Sequence, residues 1–216
     1  MRFEAVLFDC DGVLVDSEPI VNRVLRDMLA ERGWVLSEAE CMRIFLGKMV
    51  RDERERIERE TGRALTEDWL AAFRENRNAA LERELSIVAN AREAVHAVHE
   101  RLDARIACAS GADRHKVELQ LRKVGLHAYF EGRIFSGHEM PRSKPHPDVY
   151  LAAAAALGAA PRRCAVVEDS LIGATAGLAA GATVLAYVPH GDAAAFERAG
   201  VAAVFRDMAS LPALLA

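Results

Sequence analysis

Six short apolar runs recur along the 216 residues, at 3–8, 104–109, 133–135, 164–167, 182–187 and 202–205. Helical patterns at 91–101, 113–124, 147–157, 172–180 and 192–199 separate most of them. Short buried strands that alternate with helices predict a doubly wound, Rossmann-like α/β fold, with a parallel sheet covered on both faces. One stretch breaks the rhythm. Residues 17–86 contain no strand-like run, and Val21, Leu25, Met28 and Leu29 recur there at helical spacing. This predicts an all-helical domain inserted after the first strand, leaving 1–16 and 87–216 as the α/β core. The run Arg51-Asp52-Glu53-Arg54-Glu55-Arg56-Ile57-Glu58 reads as a solvated helix face. Ser17-Glu18 and Ser86-Ile87 are expected as the hinge strands, and 205–216 as a closing helix.

In such sheets ligands bind beyond the carboxyl ends of the strands. Asp9 and Asp11 follow the first run, Ser110-Gly111 the second and Glu168-Asp169-Ser170 the fourth, while Arg142-Ser143-Lys144-Pro145 lies in a loop beyond the third. Brought side by side, these ends supply four carboxylates, a hydroxyl and a lysine. Four acids do not all ionise at close quarters without cations, because like charges raise one another's pKa. Mg2+ suits all-oxygen ligation, Lys144 adds a second positive charge, and phosphate fits as the dianion. Ser110 and the N–H groups of Gly111 and Ala112, expected at a helix start, would hold its oxygens. A carboxylate can attack phosphorus in line while a second carboxyl group protonates the leaving alcohol. Asp9 and Asp11 are spaced for these two roles.

The motifs DCDGVLVDSE (9–18), CASGA (108–112), RSKPHPDVY (142–150) and VVEDSLIGATAG (166–177) together resemble the haloacid dehalogenase superfamily. The resemblance is narrower to its β-phosphoglucomutase-like branch of sugar-phosphate phosphatases with a helical cap, and it covers essentially the whole chain. It implies that Asp9 is nucleophile and Mg2+ ligand, and that Asp11 is general acid/base and ligates metal through its carbonyl. It also implies that Ser110, Gly111 and Lys144 bind phosphate. Asp169 completes the metal site, with Glu168 supporting a metal-bound water.

Two departures narrow the expected activity. Asp11 separates the chain from the halide-removing and phosphonate-cleaving relatives, which lack an acid there. The mutases resembled carry a histidine where Val21 stands, and no histidine occurs from Ser17 to Ser86. That favours water as acceptor, hence a phosphatase of a small phosphorylated metabolite, with β-phosphoglucomutase or phosphoglycolate phosphatase as alternatives. Specificity is expected from the turn 46–51, with Lys48 and Arg51, and from Arg77 on a later helix, although exposed helix charges would look the same. Their basic character, and the segment 135–142, resemble phosphatases of sugar-acid phosphates such as 6-phosphogluconate.

Net charge is −4, which gives no support for nucleic-acid binding. No GxGxxG follows the first strand and no Walker loop occurs. A receiver-type signalling module would be shorter and lack the helical insertion. The four cysteines form no CxxC pair, so zinc is not expected and a reducing, cytoplasmic setting is. No signal peptide or membrane span is expected, and the chain is expected as a monomer or weak dimer.

Overall fold

The computed structural model describes residues 3–45 and 48–216. The strands are β1 (Ala5–Phe8), β2 (Ile106–Ser110), β3 (Ile134–Ser136), β4 (Cys164–Glu168), β5 (Thr183–Tyr187) and β6 (Ala203–Phe205). Among the described residues β1 is followed by the α-helices α1 (Glu18–Ala30), α2 (Glu38–Phe45), α3 (Arg54–Thr61) and α4 (Glu67–Glu84). Then come α5 (Ala91–Arg101), α6 (Arg114–Lys123), α7 (His127–Phe130), α8 (Asp148–Ala156), α9 (Leu171–Ala179), α10 (Ala194–Ala199) and α11 (Leu211–Leu214).

All strand pairs are parallel, in the order β3-β2-β1-β4-β5-β6. The chain winds outward in both directions from β1, so the switch point, where a ligand crevice forms, lies between β1 and β4. Every residue of β1, β2 and β4 is buried, which explains why these strands are unbroken apolar runs rather than alternating ones. On one face Leu7, Ala107 and Val166 pack with Tyr150, Ala153 and Ala174 of α8 and α9. Elsewhere in the core the Phe8 and Phe130 rings meet edge to face at 5.9 Å.

Two boundaries differ from the sequence pattern. β2 begins at Ile106 because Asp103 (φ 48) and Ala104 (φ 62) occupy a left-handed turn. The closing segment is helical only over α11, after a 3-10 turn at Met208–Ser210 capped by the Asp207 carboxylate, which accepts the Ala209 N–H.

The chain divides into two compact units, 1–16 with 86–216, and 17–85. The core-side link is a short antiparallel contact. Val15 bridges Ile87, Asp16 N–H donates to the Ser86 carbonyl (3.1 Å) and Val88 N–H to that of Leu14 (3.0 Å). This pairing falls a residue or two before the expected hinge at Ser17-Glu18. α1 begins at Glu18, with Pro19 in its first turn, where the missing N–H leaves no intrahelical hydrogen bond unmade. The helical unit has its own core of Leu25, Met28, Leu29, Phe45, Ile57, Leu70 and Phe73. Burying each such side chain contributes about 1.5–3 kcal/mol. Within the charged run 51–58 Ile57 is buried, Arg51, Asp52 and Glu55 are exposed, and Glu53, Arg54, Arg56 and Glu58 are half-buried, so only part of the run is a solvated face. Among the described residues no helix is long and apolar enough to cross a membrane.

Candidate active site

β1 delivers Asp9 to the end of the sheet, where its N–H donates to the Val167 carbonyl of β4 (3.0 Å). The chain then turns sharply. Leu14 and Val15 N–H groups return to the Cys10 carbonyl, and Gly12 adopts φ +74°. Glycine is required at 12 for a second reason: a Cβ there would stand 1.9 Å from Asp169 Oδ2. The Asp169 carboxylate therefore lies directly over this turn, carried there from the end of β4.

Lys144 crosses between the two strand ends. Its side chain is 7% exposed, and Nζ donates to Asp9 Oδ1 (2.7 Å) and Glu168 Oε1 (2.6 Å). It also sits 4.7 Å from the Tyr150 ring centroid, whose hydroxyl donates to the same Glu168 oxygen (2.6 Å). Glu168 Oε2 accepts from the N–H groups of Asp169 (3.1 Å) and Ser170 (3.2 Å) and from the Ser170 hydroxyl (3.1 Å). Five donors on two oxygens saturate this carboxylate. Ser170 also caps α9 by accepting the Gly173 N–H, and a Cβ at Gly173 would lie 1.7 Å from Glu168 Oε1. Glu168 is thus cradled beneath the first turn of α9, in space that only a glycine leaves.

The electrostatics follow from this crowding. Burial pushes the Asp9 carboxyl up from 3.8 to about 7; Glu168 and Asp11 add to the rise and Lys144 opposes it. For Lys144 burial works against the ammonium, yet Asp9 and Glu168 win and hold its pKa well above the ordinary value. Burial, followed by the Glu168 carboxylate, raises Tyr150 well above its usual value, so its phenol remains a donor. Carboxylate oxygens of Asp9, Glu168 and Asp169 lie within 4.8 Å of one another. This all-oxygen, net-acidic set, with Asp169 pressed onto a glycine turn, fits a hard divalent cation.

Asp11 has a separate environment. Its Oδ1 accepts from Lys116 Nζ (2.7 Å) and Gln120 Nε2 (2.8 Å), both on α6. Neither residue stands out in the sequence, nor does the role of Tyr150. The only available signal was the i,i+4 spacing of Lys116 and Gln120 on the helix that follows β2.

Ser110 is buried at the end of β2. Its Oγ accepts the Ala112 N–H (3.1 Å), and α6 starts later, at Arg114, with Asp113 as its cap. Gly111 and Ala112, expected at a helix start, therefore precede the helix instead of opening it. Asp113 is extended (φ −65, ψ 147) and takes the capping role, while Ala112 N–H is already engaged. Gly111 packs beside the loop of Lys144, near Ser143 Oγ.

Of the expected specificity residues, Lys48 is exposed and pairs with Glu53 (2.6 Å), and Arg51 is exposed. Arg77 is buried and donates through Nε and a terminal nitrogen to Asn78 Oδ1 (3.0 and 2.9 Å). Leu46 and Gly47 of the expected turn lie outside the described residues.

A parallel sheet with acids and a buried lysine gathered at its switch point defines a doubly wound enzyme-type site. The model for haloacid dehalogenase-like hydrolases matches residues 3–181, and the chain belongs to this family. Among its relatives is the 6-phosphogluconate phosphatase of Escherichia coli K12, 31% identical over 88% of this chain and 85% of the relative. Hexitol phosphatase B of the same organism is 32% identical over 82% of this chain and 79% of its own length. A Deinococcus radiodurans family hydrolase crystallised with phosphate and sodium is 37% identical. It superposes with a TM-score of 0.79, covering 99% of this chain and 95% of that one.

Proposed function

We propose that this chain is a Mg2+-dependent phosphomonoesterase that hydrolyses a small sugar phosphate or sugar-acid phosphate through an aspartyl phosphate on Asp9. The observation that carries the reading is the division between the two leading acids. Asp9 shares buried Lys144 with Glu168 at the switch point, whereas Asp11 has its own donors from α6. Two carboxyl groups in different environments suit two roles.

Asp9 and Asp169, with the Asp11 carbonyl, would hold Mg2+, and Glu168, saturated by five donors, suits an outer role through water. The cation, when bound, neutralises the acids and draws charge from the phosphoryl oxygens. Asp9 attacks phosphorus; the Asp9 O–P bond forms as the bond to the leaving oxygen breaks. Asp11 gives its proton to that oxygen. In the second half Asp11 takes a proton from water as the water O–P bond forms and the Asp9 O–P bond breaks. Lys144 and the Ser110 hydroxyl would hold the phosphoryl group, with Gly111 allowing close backbone approach.

The relatives' names favour hexose-derived phosphates, including the sugar acid 6-phosphogluconate. For substrate choice Lys48 and Arg51 are the leading candidates, of which Lys48 must first release Glu53; Arg77 would have to leave Asn78 and its buried position. Val21 in place of a histidine supports water as acceptor over a mutase. The test is a phosphate-release screen with Mg2+ over 6-phosphogluconate, hexitol phosphates, β-glucose 1-phosphate and phosphoglycolate. Turnover that EDTA and Asp9→Asn both abolish is expected. Turnover surviving in Asp9→Asn, or isomer forming from β-glucose 1-phosphate faster than phosphate, would overturn the reading.

A further inference from the structure

We infer that Lys116 and Gln120 are positioning residues that orient the Asp11 carboxyl for proton transfer; the inference rests on the assignment of Asp11 as general acid/base. Four features of α6 point to it. Asp113 caps the helix by accepting the Lys116 N–H (2.9 Å), which fixes the first turn. Lys116 and Gln120 then fall four residues apart, on one face. Both are buried, Lys116 at 7% exposure and Gln120 at 0%. Their donors converge on a single oxygen, Asp11 Oδ1, at 2.7 and 2.8 Å.

The Gln120 amide has only one workable orientation. Its Nε2 must face the carboxylate, which accepts only, and its Oε1 takes the Cys10 thiol at 3.5 Å. Cys10 itself is buried in the turn that carries Asp11. Gln120 therefore grips two neighbouring residues of the catalytic turn from one side.

The chemical consequence is specific. With an ammonium and an amide both donating to Oδ1, the proton of the acid form belongs on Oδ2. In the first half-reaction the Oδ2–H bond breaks as the leaving oxygen gains that proton; in the second, Oδ2 takes the proton of the attacking water. A buried lysine on a partly exposed acid is costly as a mere tether, since both charges lose hydration. Fixing which oxygen carries the proton gives the arrangement a use.

The test exploits leaving-group chemistry. The ratio kcat/KM reports steps up to leaving-group release, which needs an acid when an alkoxide departs and little help when p-nitrophenolate does. Lys116→Met and Gln120→Leu, which fill the same buried space, are compared with wild type on 6-phosphogluconate and p-nitrophenyl phosphate with Mg2+. Asp11→Asn serves as the reference. Complete general acid catalysis is worth about 100- to 10,000-fold, so a displaced acid should lose part of that. We expect the loss in each variant to be ~10- to 100-fold greater on the alkyl than on the aryl ester. Equal losses on both esters, or no loss on either, would make the pair structural and overturn the inference, as would failure of both variants to fold. If Asp11→Asn itself loses equally on both esters, the acid/base assignment falls, and this inference with it. Absence of wild-type turnover on any phosphomonoester would remove the proposed function as well.

Discussion

Burial at the sheet end disfavours the charged form of Asp9. Its carboxyl, ordinarily near 3.8, stands at about 7, with burial as the largest cause and Lys144 only partly offsetting it. Moving the titration from 3.8 to about 7, at 1.36 kcal/mol per pH unit, corresponds to ~4 kcal/mol. The folded pKa is raised, so the native state binds more protons than the unfolded chain between pH ~4 and ~7. The associated stability is fully present below the unfolded value and is lost as pH rises through about 7. Roughly 3 kcal/mol of it lies between pH 5 and pH 8. Asp9→Asn lacks this titration, so the difference between the two proteins isolates it. In EDTA, thermal melts by circular dichroism should show wild type losing about 5–10 °C relative to Asp9→Asn over that range, at ~2–4 °C per kcal/mol for a chain of this size. Mg2+ at 100 times its Kd should return ~2.7 kcal/mol to wild type at pH 8, and much less to the variant. A gap between the two proteins that stays flat from pH 5 to 8 would mean that Lys144 outweighs burial, and would refute the reasoning.

Two close approaches and one hydroxyl give further tests. Gly173→Ala would gain ~1 kcal/mol of helix propensity, but its Cβ would stand 1.7 Å from Glu168 Oε1. The displaced carboxylate should leave the Lys144 network broken at a cost of ~3–5 kcal/mol, read as a lower urea midpoint; a midpoint at or above wild type would contradict the cradle. Gly12→Ala meets both a left-handed φ of +74° and Asp169 at 1.9 Å. Calorimetric Mg2+ affinity should therefore fall at least tenfold, and unchanged affinity would remove Asp169 from the metal set. Tyr150→Phe deletes a donor to a charged acceptor that keeps four others. It should cost ~1.5–3 kcal/mol in urea unfolding while turnover persists, and loss of all turnover would show that the phenol does more than orient Glu168.

What the sequence discloses here depends on whether a residue violates the rule of its own element. Asp9, Asp11, Glu168 and Asp169 are acids placed at or just beyond the ends of buried apolar runs, an electrostatic conflict visible without coordinates. The helical insertion is visible because 17–86 lacks any strand-like run. Lys116 and Gln120 break no rule: polar residues four apart on a helix read as a solvated face, like the charges of 51–58, none of which is buried. Only the sheet order separates the two cases. β2 lies beside β1, so the helix that follows β2 returns alongside the β1 turn, and its polar face meets Asp11 instead of water. The Arg77 guanidinium, expected to serve recognition, is buried and bonded to Asn78 for a related reason: periodicity marks a residue's angle around a helix, not what covers that angle. Strand-end chemistry is therefore legible from local pattern, whereas helix-borne chemistry becomes legible only once topology shows which polar faces turn inward.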